Sequence, residues 1–303
     1  MALAFSRILL AYDDSAMSQL ALAYAIALTR GGSILKLAHA VNESSIVATA
    51  TTANGFAAID PTPLIEEIER HGAHVLKTAI DACAARGITA QQVVLRDSAP
   101  SGILELAHAD QTDLIVVGTH GRGGISRTLT GSVAESIVRA SHVPVLIVNG
   151  HAEAPRDHAV FARALVALDD SDPSEAALAV ARRIVADFGT HLTLCNVVDS
   201  RSLNVEAPAY GYDAAAMERT EHTTAMQFLE RVASGTTVPL GDLVVVDGDP
   251  APTIEHTAMQ RNCDLIIMGS HARSGLGRII SGSVAEAVAR SSSVPVLVVP
   301  TKR

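Results

Sequence analysis

The chain states one module twice, and no other feature narrows its fold so far. "RILLAYDDS" at 7–15 returns as "RALVALDDS" at 163–171, and "DLIVVGTHGRGG" at 113–124 returns as "DLIIMGSHARSG" at 264–275. "GSVAESIVRASHVPVLIV" at 131–148 returns as "GSVAEAVARSSSVPVLVV" at 282–299, and more than half of the positions from 118 to 148 are identical in the second copy. Solenoid repeats have periods of about 20–50 residues. This period is far longer, so each copy is a domain, which suits a chain of 303 residues. The expected division is a first domain at 1–149, a linker at 150–161 where the chain turns polar ("NGHAEAPRDHAV", 149–160), and a second domain at 162–303.

Within the first copy, short apolar runs alternate with longer helical stretches. "RILLAY", "ILKLAHAV", "QVVLR", "LIVVG" and "VPVLIV" read as strands. Between them, "SAMSQLALAYAIALTR" reads as a helix stopped by Gly31-Gly32, "PLIEEIERHGAHVLKTAIDACAAR" as one ending at Gly87, "SGILELAHA" as a short helix, and a fourth helix starts near Val133. In the second copy the first helix is expected to start with Asp172 as N-cap, Pro173 at N1 and Glu175 at N3. Strands apolar on both faces and separated by helices call for an α/β fold with a parallel sheet covered by helices. Aromatic residues make up only 3% of the chain and Trp is absent, so Ala, Val, Ile and Leu must fill the cores. In open sheets of this kind a ligand lies beyond the carboxyl ends of the strands, where strand order reverses. The residues that follow strands therefore carry the functional interest: Asp13-Asp14, Val41, the loop after Arg96, and the loop that begins at Gly118.

That loop, "GTHGRGGISRTLTGS", is unusually rich in glycine. Glycines let backbone N–H groups approach an anion, and a helix N-terminus adds unpaired N–H groups and partial positive charge. Arg122 and Arg127 lie in the same loop. A plain structural reading fits equally well: Ser132–Glu135 and Ser283–Glu286 are capping boxes, and glycines after a strand are ordinary turn residues. The loop is neither a Walker A nor a G-x-G-x-x-G sequence.

The spacing G-x-x-G, nine residues, then G-[S/T] resembles the nucleotide signature of the universal stress protein family, matched by Gly118, Gly121, Gly131 and Ser132. "LLAYDDS" with Asp13 and "AHAVNES" with Val41 are similar to that family's first and second strands. The resemblance implies two tandem five-stranded parallel-sheet domains, Rossmann-like, with strand order 3-2-1-4-5, forming an intramolecular pseudo-dimer. It implies ATP as ligand, in many members with Mg²⁺ or Mn²⁺ at the phosphates, and a regulatory role in stress survival. By this resemblance Asp13 and Val41 hold the nucleoside, while Gly118, Gly121, Arg122, Gly131, Ser132 and Val133 hold ribose and phosphates. The second copy keeps Asp169, Val198, Gly269, Arg273, Gly282, Ser283 and Val284 but has Ala272 where Gly121 stands, so its site is expected to be weaker. The apolar last strands, 144–149 and 295–300, are expected to pair within the chain, since an exposed apolar edge invites pairing. Dimerisation of whole chains is a further expectation that no motif supports.

The totals narrow the alternatives. A formal charge of −9 argues against a nucleic-acid surface. Three widely spaced cysteines without a C-x-x-C pattern argue against a disulfide framework or zinc site and fit a reducing cytoplasm. The start "MALAFSRILLAYDDS" reads as a strand, and no apolar run reaches the roughly 18 residues that span a membrane. His71 and His74 lack a third ligand, His120 and His271 fall at the same loop position and read either as exposed loop residues or as neighbours of a phosphate, and Cys83 reads as core. No nucleophile with a base stands out, so real turnover ranks low, with slow ATP hydrolysis left open. A scaffold binding a protein or an apolar metabolite through the aperiodic connections 42–63 and 199–213 is the alternative. Adenylate-forming chemistry would call for a histidine pair or an S-G-G-type loop after the first strand, where this chain has "AYDDSAMS" and "ALDDSDPS".

Overall fold

The apolar runs become parallel strands because each can bury both faces between helices. The structure, a computed structural model, describes residues 3–41, 62–119, 132–155, 160–199, 214–235, 240–270 and 283–301. Contacts divide the chain into two units, Phe5–Gly150 and His151–Arg303, the second also taking in Leu3 and Ala4. Ala4 is tied there by its N–H, which donates to Asp187 at 3.0 Å, and by its carbonyl, which accepts from Arg183.

The first unit contains β1 (Arg7–Ala11), α1 (Ala16–Leu28), β2 (Ile34–Ala40), α2 (Thr62–Ala84), β3 (Ala90–Leu95), α3 (Ala99–Ala109), β4 (Leu114–Gly118), α4 (Ser132–Ala140) and β5 (Val145–Val148). The second contains β6 (Arg163–Ala167), α5 (Asp172–Phe188), β7 (His191–Val198), α6 (Ala214–Ser234), β8 (Leu240–Asp247), α7 (Pro250–Gln260), β9 (Leu265–Ser270), α8 (Ser283–Ser291) and β10 (Val296–Pro300). Strand order is β3-β2-β1-β4-β5 in one unit and β8-β7-β6-β9-β10 in the other. Every pairing within a unit is parallel. The expected α/β fold with order 3-2-1-4-5 is therefore present twice.

Small side chains bring helix and sheet together. Ala21 and Ala25 on α1 are fully buried, as are their counterparts Ala177 and Ala181 on α5. Glycine completes the approach: a Cβ on Gly118 would lie 2.8 Å from the Met17 carbonyl, and one on Gly269 would lie 2.2 Å from the Pro173 oxygen. The first glycine of each loop is thus required by packing of a strand end on the first turn of a helix, whatever it does for a ligand.

Several local expectations shift by a residue or two. Helix α1 ends at Leu28, ahead of Gly31-Gly32, because Thr29 closes it with its N–H and hydroxyl on the Ala25 carbonyl. Asp172 is not the N-cap of α5: Ser171 is, in an extended conformation, so Asp172 and Glu175 both sit in the first turn where they complement the helix dipole. Ser132 is not a residue ahead of its helix but the first residue of α4.

Candidate functional site

Because all strands of a unit run parallel, their carboxyl ends share one edge. Register places the candidate residues on it. Leu10 lies opposite Val116 and Ala11 opposite Ala38, so Asp13, two residues past the end of β1, follows a strand that runs between β4 and β2. Gly118 therefore ends the strand adjacent to Asp13, at the point where order reverses, and Val41 follows on the other neighbour, its N–H bonded to the Leu95 carbonyl at 2.8 Å. Ser132 and Val133 open α4 on the same connection.

The β1–α1 turn is organised by its own polar groups. Asp13 Oδ1 accepts the Ser15 N–H at 3.0 Å, and the Ser15 hydroxyl caps α1 by accepting the Ser18 N–H at 3.2 Å. Below it, buried His39 on β2 holds the Tyr12 carbonyl through Nδ1 at 2.8 Å. In the second unit Asn196 occupies the same place and donates to the Leu168 carbonyl at 2.8 Å.

The corresponding edge of the second unit holds two cavities of about 220 and 460 Å³ that share Asp170, Phe228 and Arg231 in their walls. Asp169 lines the smaller and Val198 the larger, so two residues singled out from the sequence do face hollow space. Six carboxylates line the pair: Asp169, Asp170, Asp172, Glu175, Asp199 and Glu221. Arg231 is the one cationic side chain among the described residues of those walls; it lies 5.5 Å from the Phe228 ring centre and 3.6 Å from the Asp170 carboxylate.

The sequence reading did not single out Phe228 and Arg231, and nothing at their positions marks them except helical spacing. It also passed over the serine that closes the pattern D-D-S-x-x-S in both copies, although that repetition was a signal. The hydroxyl of Ser18 accepts the Asp13 N–H at 3.4 Å, and that of Ser174 accepts the Asp169 N–H at 2.8 Å. Gly121, Arg122, Gly131, Ala272, Arg273 and Gly282 lie outside the described residues, as do His120, His271 and most of the two long connections. Ser283 and Val284 begin α8. No group of three metal-binding side chains occurs among the described residues, and no described helix is long and apolar enough to cross a membrane. The thiols are buried and held protonated: burial pushes Cys83 up to about 11 and Cys195 up to about 12, and raises Cys263 as well.

Two open α/β domains of this order, each with an aspartate just past its first strand and a glycine at the end of the neighbouring strand, define a tandem protein of the doubly wound α/β class. A model of the universal stress protein family matches residues 4–149 and again 161–300, and the chain belongs to that family. A universal stress protein of Mycobacterium tuberculosis is 30% identical over 194 residues, 63% of this chain and 62% of that protein, so the match spans less than two thirds of the relative. One from Mycolicibacterium smegmatis is 28% identical over 241 residues, 77% of each chain. The crystal structure of a universal stress protein from Archaeoglobus fulgidus shares the fold, with a TM-score of 0.69 over 98% of each chain at 23% identity.

Proposed function

We propose that this protein is a regulatory module that binds an adenine nucleotide, ATP foremost, at the carboxyl edge of its first unit. The observation that carries the reading is the place of Asp13: two residues past the end of β1, whose neighbour β4 ends at Gly118 where strand order reverses, with one carboxylate oxygen anchored by the Ser15 N–H. An anchored carboxylate is suited to accept the two ribose hydroxyls, and Val41 ends the strand that borders the base. The phosphates then run toward the loop from Gly118 to Ser132, whose glycines and arginines suit an anion. A divalent cation there would neutralise phosphate charge. The second unit is a weaker site of the same kind, built on Asp169, Val198 and Gly269. In this reading the nucleotide acts as a ligand.

Calorimetric titration with Mg-ATP tests this. Asp13→Ala removes a charged acceptor, a bond worth about 1.5–3 kcal/mol, so affinity should fall roughly ten- to hundredfold. Gly131→Val should do at least as much. Unchanged affinity in both folded variants would overturn the assignment.

We also infer that β5 and β10 cover one another within the chain. Each is the last strand of its unit's order and wholly apolar on its buried face. Amide exchange along 145–148 and 296–299 as slow as in β1 and β6 is the expected result, and fast exchange in both would remove the pairing.

A further inference from the structure

The two copies of D-D-S-x-x-S hold their first aspartate by different means, and the difference lies in one strained residue. Asp14 sits in the left-handed region, with φ of +63°, where a residue with a Cβ needs support. The described structure has two other such residues besides glycine: Gln111 after α3 at φ +53° and Asn262 after α7 at φ +51°. Those two are counterparts, so that conformation belongs to the fold. Asp14 has no such counterpart, because Asp170 lies outside the left-handed region. The fold does not require the strain at Asp14.

What supports it is a local network. Tyr12 is 3% exposed, so its hydroxyl sits at the end of a buried ring and takes a polar partner. It donates to Asp14 Oδ1 at 3.0 Å. The Gln19 amide donates to the same oxygen at 3.1 Å and to the Asp14 carbonyl at 3.4 Å. With Asp14 turned this way, the next N–H, that of Ser15, points back at Asp13 Oδ1. In the second unit Leu168 and Glu175 replace Tyr12 and Gln19. There Asp170 pairs with Arg231, and Asp169 Oδ1 accepts the hydroxyls of Ser171 and Ser174, the latter at 2.5 Å.

We propose that Tyr12, Asp14 and Gln19 are positioning residues that aim the Asp13 carboxylate at its ligand, and that they set the first site apart from the second. This rests on the nucleotide reading above. If Asp14 relaxes, the Ser15 N–H leaves Asp13, whose carboxylate loses its anchor. The backbone geometry, not the Asp14 carboxylate, is what Asp13 needs, and glycine adopts φ near +60° without support.

The test is Mg-ATP titration of the full chain, with thermal unfolding of each variant. Asp14→Ala and Tyr12→Phe should each weaken binding about five- to tenfold, the range of one hydrogen bond. Asp14→Gly should stay within about twofold of wild type, and adding Tyr12→Phe to it should change nothing further. That rescue separates positioning from general stability, since a structural role alone would move unfolding temperature without this pattern in affinity. The proposal falls if Asp14→Gly weakens binding as much as Asp14→Ala. It falls equally if Tyr12→Phe and Asp14→Ala keep wild-type affinity while Asp13→Ala loses it. Wild-type affinity in Asp13→Ala would overturn the underlying nucleotide reading instead, and this proposal with it.

Discussion

The two units agree where the backbone needs a side chain and differ where the edge opens. Asp113 accepts the N–H groups of Ser6 and Arg7 at 2.8 and 2.9 Å, and Asp264 accepts those of Ala162 and Arg163 at 2.8 and 3.0 Å. Ser141 binds the Val143 carbonyl and N–H just before the last strand, and Ser292 binds those of Val294 in the same way. His39 and Asn196 tie β2 and β7 to their neighbours with different chemistry but the same bond. At the rim the likeness ends. Tyr12, Ala16 and Gln19 become Leu168, Asp172 and Glu175. The two copies share what a parallel sheet must satisfy internally and differ along the carboxyl edge, so the units are one frame with two different rims.

The comparison can be broken most forcefully at the frame. Gly269→Ala places its Cβ closer to backbone than Gly118→Ala does, 2.2 Å against 2.8 Å. Overpacking costs about 1–3 kcal/mol, so Gly269→Ala should destabilise its unit near the upper end and Gly118→Ala nearer the lower. Denaturation followed by amide exchange in each unit measures both; equal losses would mean that α1 and α5 pack alike. It follows that a bulky residue at Gly118 tests folding and not ligand approach.

At the rim, Ala272→Gly should strengthen the second site roughly five- to thirtyfold, if the alanine costs about 1–2 kcal/mol in a left-handed turn. Titration that finds two equal sites in the wild-type chain would dismiss this residue as the source of asymmetry. A smaller gain, about three- to tenfold for Mg-ATP, is expected from Asp172→Ala with Glu175→Gln, which copies the first unit and clears two carboxylates from the smaller cavity. The gain should vanish near 1 M salt, where the Debye length is about 3 Å. It should cost a few tenths of a kcal/mol in stability, because both acids favour the start of α5.

The smallest expected difference is in alkaline stability. Each thiol titrates higher in the folded chain than its ordinary value of 9.0. Above that value the unfolded chain releases protons that the folded chain keeps, so stability falls as pH rises. The second unit holds two such thiols against one, and its unfolding midpoint should fall the more steeply between about pH 9 and 11. Equal slopes would show that Cys195 and Cys263 are less buried in solution than in the structure.

Much of this was legible in the sequence. Repetition showed two domains, strand-length apolar runs showed the sheets, and the order of the runs showed which ends of the strands share the edge that carries Asp13, Val41 and Gly118. These signals are readable because periodicity and turn chemistry act over a few neighbouring residues. The choice of Ser171 over Asp172 as cap, the early end of α1 at Thr29 and the packing role of Gly118 were not. Each depends on what the chain meets in space: Gly118 is small because Met17, a hundred residues earlier, must fit against it. Likewise "DDS" is spelled identically at 13–15 and 169–171, yet only the tertiary structure decides that one aspartate is anchored by a backbone N–H and the other by two hydroxyls. A triplet specifies its own conformers. Which one is kept depends on partners at Tyr12, Gln19, Phe228 and Arg231, which close packing of strands and helices brings alongside.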